Sequence, residues 1–401
     1  MTAPSQPPPV ALRWLYLAIG GWSAAIGPFA AVILKVHGFE PATIGLLSAL
    51  AAVAATLIGP AWGHLGDVVL GRTAAFRLAL VIVSAAAIVL LLPVPPILFA
   101  PVISLFGVFA AVFLALGDSL AVAALDNPNR QYGAIRSLAS LSFSIGVVAA
   151  GLIYDQAGYA AVPIVALVWS AAAFFVVGRV PDRTRNPAER LERRESVVAH
   201  DGRFGSVSRA FAAQPRLFVL LPALTLVYAG VEGAVLFVGL RIVELGGQPS
   251  DVGLAFGVSS LFEIPGLLLV AWLSRRIGLR SLLLVAATAF GVCILGWAFL
   301  PNPTAIIATR VITGVGFGVL TGGLVLVIAR LLPTELQSTG QGLMLAATAG
   351  LGTVFGSVFG GLIYGSLGAT SFFVIAGCLT VVGAILVFAS LGRPFAASEP
   401  A

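Results

Sequence analysis

Four ionisable residues lie inside long apolar runs: Asp118, Glu232, Glu263 and Arg310. A charge in hydrocarbon is costly, so each is a candidate for function by default. Glu263 is twelve residues from both Asp251 and Arg275, which at helical rise puts it about 18 Å from either polar boundary. A carboxylate at such depth favours its neutral form and can take up and release a proton near neutral pH. The chemistry on offer is proton exchange or a contact to a bound solute; the alternative is a glutamate paired only for folding. Glu232 is nine residues from Arg241 and Arg310 eight from Asn302, about 13 and 12 Å inside the same boundary. Matched depths predict a Glu232–Arg310 ion pair, either a fixed brace or one that opens when protonation changes. Asp118 is eight residues from Asp126, about 12 Å inside the opposite boundary. Arg136 opens the next run close by, and an Asp118–Arg136 pair would brace or gate that mouth.

Other chemistries find no residues. His37, His64 and His200 fall at or beyond the ends of apolar runs and cannot form a buried metal cluster. The glycine clusters lack a phosphate-loop lysine, and no enzyme motif is present, so neither catalytic residues nor a cofactor are expected. Cys293 and Cys378 sit in apolar runs and read as small hydrophobes. The elements that position the four charges must be membrane helices. The chain is 59% hydrophobic and 9% charged, against about 25% charged in soluble domains. Too few charges remain to clothe a water-facing surface, and the lipid bilayer is the expected solvent. The segment Met1 to Val10 is rich in proline and uncharged, and no cleavable signal is expected there.

Twelve apolar spans are predicted, at about 14–36, 42–65, 74–93, 97–124, 133–155, 160–179, 216–244, 250–273, 281–300, 304–331, 340–365 and 370–391. Short connections such as Asn302-Pro303 and Leu367-Gly368 force helix hairpins. Nineteen of the 22 Lys and Arg fall on one side of these spans. The positive-inside rule makes that side cytoplasmic, with both termini there. The net charge of +6 is therefore a topology signal and not a nucleic-acid footprint. Pro181 to Gln214, rich in Arg, Glu and Pro, reads as a linker (181–214) between six-helix halves at 1–180 and 215–401. Within it, Leu191–Glu195 could form a short surface helix or remain a solvated tether. Repetition supports the halving: Gly151-Leu-Ile-Tyr154 recurs as Gly361-Leu-Ile-Tyr364, and Pro41 with Gly45 as Pro249 with Gly253, at offsets of 210 and 208. Arg72 and Arg280 are also 208 apart. Parallel halves of this kind place a site between them.

Gly63-x-Leu65-x-Asp67, followed by Gly71-Arg72, resembles the loop between the second and third helices of the major facilitator superfamily (MFS). It carries one extra residue between the aspartate and the glycine. The second copy keeps Leu273 and Gly278 but has Arg275 in place of the aspartate. Tyr132-Gly-x-Ile-Arg136 with Gly146, Glu263-Ile-Pro265, and Gly314-x-x-Phe-Gly318 with Gly340-Gln-Gly342 resemble a narrower branch. That branch holds phenylpropionate permease-like, nucleoside–proton symporter-like and lactose permease-like carriers. The resemblance implies an all-α polytopic fold of twelve transmembrane helices in two pseudo-symmetric halves. It also implies uptake coupled to a cation, usually the proton. The Gly-Pro motif of drug antiporters is missing between Gly146 and Asp155.

The expected activity is secondary transport of a small organic solute by alternating access, with proton symport ahead of export by antiport; a non-transporting receptor is the more remote alternative. Asp67, Arg72 and Arg136 are the expected cytoplasmic gate. Every Asn and Gln lies at a loop, terminus or span end, which speaks against a polyhydroxylated sugar and for a partly apolar or aromatic solute. Trp22, Phe29, Phe143, Tyr228 and Phe355 are candidate stacking residues, with helix packing as the alternative. One chain is sufficient for such a cycle, and the bacterial inner membrane is the expected location.

Overall fold

In lipid the backbone has no water to bond to, and a helix satisfies its own internal N–H and C=O groups. The computed structural model describes residues 9–92, 94–182 and 203–392, which contain helices and turns and no strand. The first ten spans are α1 (Val10–Val36), α2 (Pro41–Leu70), α3 (Arg72–Val89), α4 (Pro96–Ala124), α5 (Pro128–Ala157), α6 (Tyr159–Val177), α7 (Leu217–Glu244), α8 (Pro249–Ile277), α9 (Leu279–Trp297) and α10 (Pro303–Leu331). The last apolar stretch, Thr334–Leu391, breaks at Gly368, where φ is 82° and ψ 169°. Glycine alone reaches that conformation without strain. The break makes two crossings, α11 (334–367) and α12 (369–391), and brings the described spans to twelve. A short helix, Arg203–Ala213, precedes α7. The Leu191–Glu195 segment and His200 lie outside the described residues.

The chain forms two compact units. One gathers the described residues of Met1–Gly38, Leu50–Asp201 and Gln248–Gly257, and the other those of Phe39–Ala49, Gly202–Gly247 and Val258–Ala401. Each expected half therefore sends one helix start into the unit built mainly from the other half. In the first unit the start of α8 lies on α5: a Cβ on Gly151 would be 2.8 Å from the Pro249 carbonyl oxygen, and one on Gly253 2.5 Å from that of Val147. In the second unit the start of α2 lies on α11: a Cβ on Gly361 would be 2.5 Å from the Pro41 carbonyl oxygen, and one on Gly45 would overlap that of Ser357. The repeated sequence motifs are thus each other's contact partners.

Two helix irregularities matter for the site. Leu65–Leu70 and Ala346–Gly352 are π-helical turns inside α2 and α11. A π-turn holds one more residue than an α-turn. The first contains Asp67 and takes up the extra residue that separates it from Gly71, whose φ of 88° ends α2.

Two stacking candidates belong to packing. Trp22 is 2% exposed, donates from Nε1 to Ser170 Oγ at 3.0 Å and packs between Phe106 and Phe113, ring centroids 5.4 and 4.8 Å away. Phe29 is fully buried, edge-on to Tyr154 at 5.0 Å. An α1 this enclosed turns its large aromatics into the helix interfaces. Phe355 falls in an exposed apolar row with Leu351, Phe359 and Leu362, a composition suited to lipid.

Candidate functional site

In the second unit, Tyr228 and Glu232 are four apart on α7 and share a face. The buried Tyr228 hydroxyl bonds the Thr321 side chain of α10 and lies in the field of both Glu232 and Glu263. The two glutamates are half-buried. A phenol, a threonine hydroxyl and two carboxylates from α7, α8 and α10 therefore converge at membrane depth. Such a set can accept hydrogen bonds from a solute and can bind and release protons.

Glycines bring the helices close enough. Gly314, Gly318 and Gly322 repeat every fourth residue on α10 and face α8. A Cβ on Gly318 would overlap the Glu263 carbonyl oxygen, and one on Gly314 would overlap that of Ser259. On α7, a Cβ at Gly233 would be 2.7 Å from the Gly356 carbonyl oxygen of α11, so those backbones also touch. Thr225 donates to the Ala347 carbonyl of the π-turn at 3.0 Å, and a Cβ on Gly352 at the turn's end would be 2.7 Å from Tyr228 Cβ. The π-turn thus abuts α7 at the root of the Tyr228 side chain.

Arg310 does not pair with Glu232. Its guanidinium lies over the Trp297 ring at 5.5 Å, and Nη1 is 3.5 Å from Thr313 Oγ1, leaving the residue 2% exposed. Trp297 is itself held by a 2.8 Å hydrogen bond to Thr309. The depths matched, but Arg310 points toward α9.

In the first unit, Asp118 of α4 and Arg136 of α5 form the expected pair, at 3.8 Å. Tyr16 of α1, unremarked in the sequence, donates to the same Oδ1 of Asp118 at 2.6 Å. Its signal was a tyrosine deep in an apolar run, whose hydroxyl needs a partner once buried. Tyr132, one turn before Arg136, lies beside both charges. Near the end of α2, Arg72 donates from Nε to Asp67 at 2.5 Å and from Nη1 to the Ser119 carbonyl at 2.9 Å. One arginine thus ties the α2–α3 turn to α4. A small cavity opens beside this tie, lined by Trp62, Gly63, Asp67 and Ser119. Arg280, the sequence counterpart of Arg72, donates instead to the Phe388 carbonyl of α12 at 2.6 Å and lies over that ring. Its structural counterpart is Arg77, which treats Phe174 of α6 in the same way. Phe143 is half-buried. Among the described residues no cluster of His, Cys, Asp or Glu could hold a metal ion.

The pattern of the MFS_1-like family matches residues 10–375. A maltose permease of Geobacillus stearothermophilus is 26% identical over 376 residues, which cover 94% of this chain and 92% of that protein. The solved nucleoside transporter NupG shares 16% identity and superposes with a TM-score of 0.73 over 95% of this chain and 98% of that one. A D-xylose–proton symporter, 13% identical, gives 0.68 over 94% and 96%. The chain belongs to the MFS_1-like family and is an integral membrane transporter of the major facilitator type, not an enzyme.

Proposed function

We propose that this transporter is a proton-coupled symporter of a small organic solute, working by alternating access. The observation that carries the reading is the convergence of Tyr228, Glu232, Glu263 and Thr321 at membrane depth. A carboxylate there is costly when charged and empty-handed, and less so when protonated or bonded to solute. Glu263 is the proposed coupling residue, with Glu232 as its neighbour on the proton or solute path. Arg310 braces α10 to α9. The Asp118–Arg136 pair and the Asp67–Arg72 tie stabilise the cytoplasmic end. The arginine distribution supports an inner-membrane location with both termini in the cytoplasm, and two halves joined by the 181–214 linker. One chain carries the whole cycle.

The solute presents hydroxyls or an amide to the carboxylates and a flatter apolar part to Tyr228. Glycosides, which the absence of deep Asn and Gln disfavours, and nucleosides, which carry the flat apolar part directly, are the two candidates. The maltose permease relative favours testing the former, and the NupG likeness is one of fold. Proteoliposomes containing a trapped pH dye, with no imposed gradient, test the reading. Maltose, xylose, nucleosides, aromatic acids and cationic drugs would be added outside, one at a time. Symport predicts internal acidification that accompanies entry of one solute. Internal alkalinisation would mean exchange and would replace symport by export. Entry without any pH change would remove the proton from the cycle.

A further inference from the structure

We propose that Asp155 is the latch of the external gate, a positioning residue that sets how readily this transporter opens outward. The proposal rests on the alternating-access reading. Both glycine crossings described above lie at the end of the spans that carries Pro41 and Pro249, which the arginine distribution makes external. They are related by the sequence repeat, so their backbones meet in the same way. Their polar contacts differ. Asp155, at the end of α5, accepts the backbone N–H of Ser250 at 2.8 Å. Ser250 is in the first turn of α8, where N–H groups have no acceptor within the helix. A carboxylate there gains both a charge-assisted hydrogen bond and the favourable end of the helix dipole. The residue is supplied from the other half of the chain, so the bond must break if α8 lifts from α5. Asp251, the next residue along α8, accepts the Gln248 N–H at 2.8 Å within its own helix start.

At the second crossing the repeat places Gly365 where Asp155 stands in the first. A Cβ on Gly365 would lie 3.7 Å from the Ala42 nitrogen in the first turn of α2. That nitrogen is the counterpart of Ser250 N, and it is offered no carboxylate from α11. The gate is therefore symmetric in its backbone packing and asymmetric in its latch. The first crossing adds a carboxylate from the facing helix to its backbone packing, and the second has glycine at that position.

The test uses the full chain in liposomes with Cys293→Ala and Cys378→Ser. Val147→Cys supplies a reporter: Val147 is fully buried, and its Cγ1 lies 3.4 Å from where a Cβ of Gly257 would be. Ser357→Cys supplies a second at the other crossing, 1% exposed and outside the Asp155 contact. A membrane-impermeant maleimide is applied from outside without solute or pH gradient. Asp155→Ala should raise labelling at both reporters by about three- to tenfold, the range expected for losing one helix-terminal acceptor. Asp155→Asn, which keeps an acceptor but not the charge, should fall between. Gly365→Asp should slow labelling at both, which keeps the proposal testable if the alanine variant folds poorly. Unchanged rates would overturn the latch. So would a rise at residue 147 alone, since that is local fraying of α8 and not opening of the gate. Labelling involves no proton, so these outcomes are independent of the coupling reading.

Discussion

Gly318→Ala tests whether the α8–α10 approach positions Glu263. The added methyl would overlap the Glu263 carbonyl oxygen and lie 2.8 Å from the Leu267 nitrogen, both backbone atoms of α8. Neither can rotate away, so the helices must part. Bringing the second contact to an ordinary 3.4 Å needs a shift of at least about 0.6 Å, and overpacking of this kind costs about 1–3 kcal/mol. A shift near 1 Å at a reacting group can cost about a hundredfold in rate. The closer overlap on the carbonyl oxygen demands a larger shift than the Leu267 contact does, so we expect driven accumulation to fall by about ten- to a hundredfold, with facilitated exchange reduced less and the unfolding midpoint lowered. Gly342→Ala is the control, because nothing lies within 4 Å of its added carbon. There the reduced entropy of the unfolded chain should leave stability equal or higher. The assay is solute accumulation and counterflow in the same proteoliposomes, with Glu263→Gln alongside. If Gly318→Ala accumulates solute at the parent level while Glu263→Gln does not, the glycine contact does not place the carboxylate.

Glu263→Gln should abolish pH-driven accumulation and spare counterflow; unchanged pH-driven accumulation would remove this residue from coupling. Tyr16→Phe should weaken transport through Asp118, by about 1 kcal/mol for one hydrogen bond, and a double-mutant cycle with Asp118→Asn should be non-additive; additivity would show that the two act separately. Arg72→Lys retains the charge but offers one head group to both Asp67 and the Ser119 carbonyl, so turnover should drop while solute affinity holds. Trp22→Ala should cost about 3–5 kcal/mol of stability, whereas Phe355→Leu should leave transport and unfolding near the parent values. A Phe355→Leu variant with a raised KM would return that ring to the solute path.

The spans and their turns were legible because lipid imposes one rule along the whole chain. Glycine before a new apolar run marked the breaks, as at Leu367-Gly368. Depth was legible too, since helical rise turns residue counts into distance. Direction around the helix was not. Glu232 and Arg310 have matching depths, yet α7 and α10 turn them to different neighbours. Trp22 and Phe29 sit on a helix apolar on every side, so periodicity could not tell a solute face from a packed one. Asp118 and Arg136 succeeded because adjacent hairpin helices leave little freedom. The π-turns left a trace only at Asp67, as a motif one residue too long. The turn in α11 left no distinct trace, since the glycines of Ala346–Gly352 are two among many in these spans. Arg280 shows the limit of counting: a fixed offset matched it to Arg72, while packing matched it to Arg77.

The crosswise pairing of the repeats has an evolutionary consequence. Each half carries both surfaces of the contact, a proline–glycine helix start and a glycine-centred helix end, and each surface meets its complement on the other half. That is the geometry of an isologous interface, in which one patch serves both partners. A six-helix ancestor encoded by half the gene could have closed as a homodimer through two identical crossings. Within one chain the two copies are free to differ, and the carboxylate on one side with glycine on the other is the kind of difference that a homodimer could not encode.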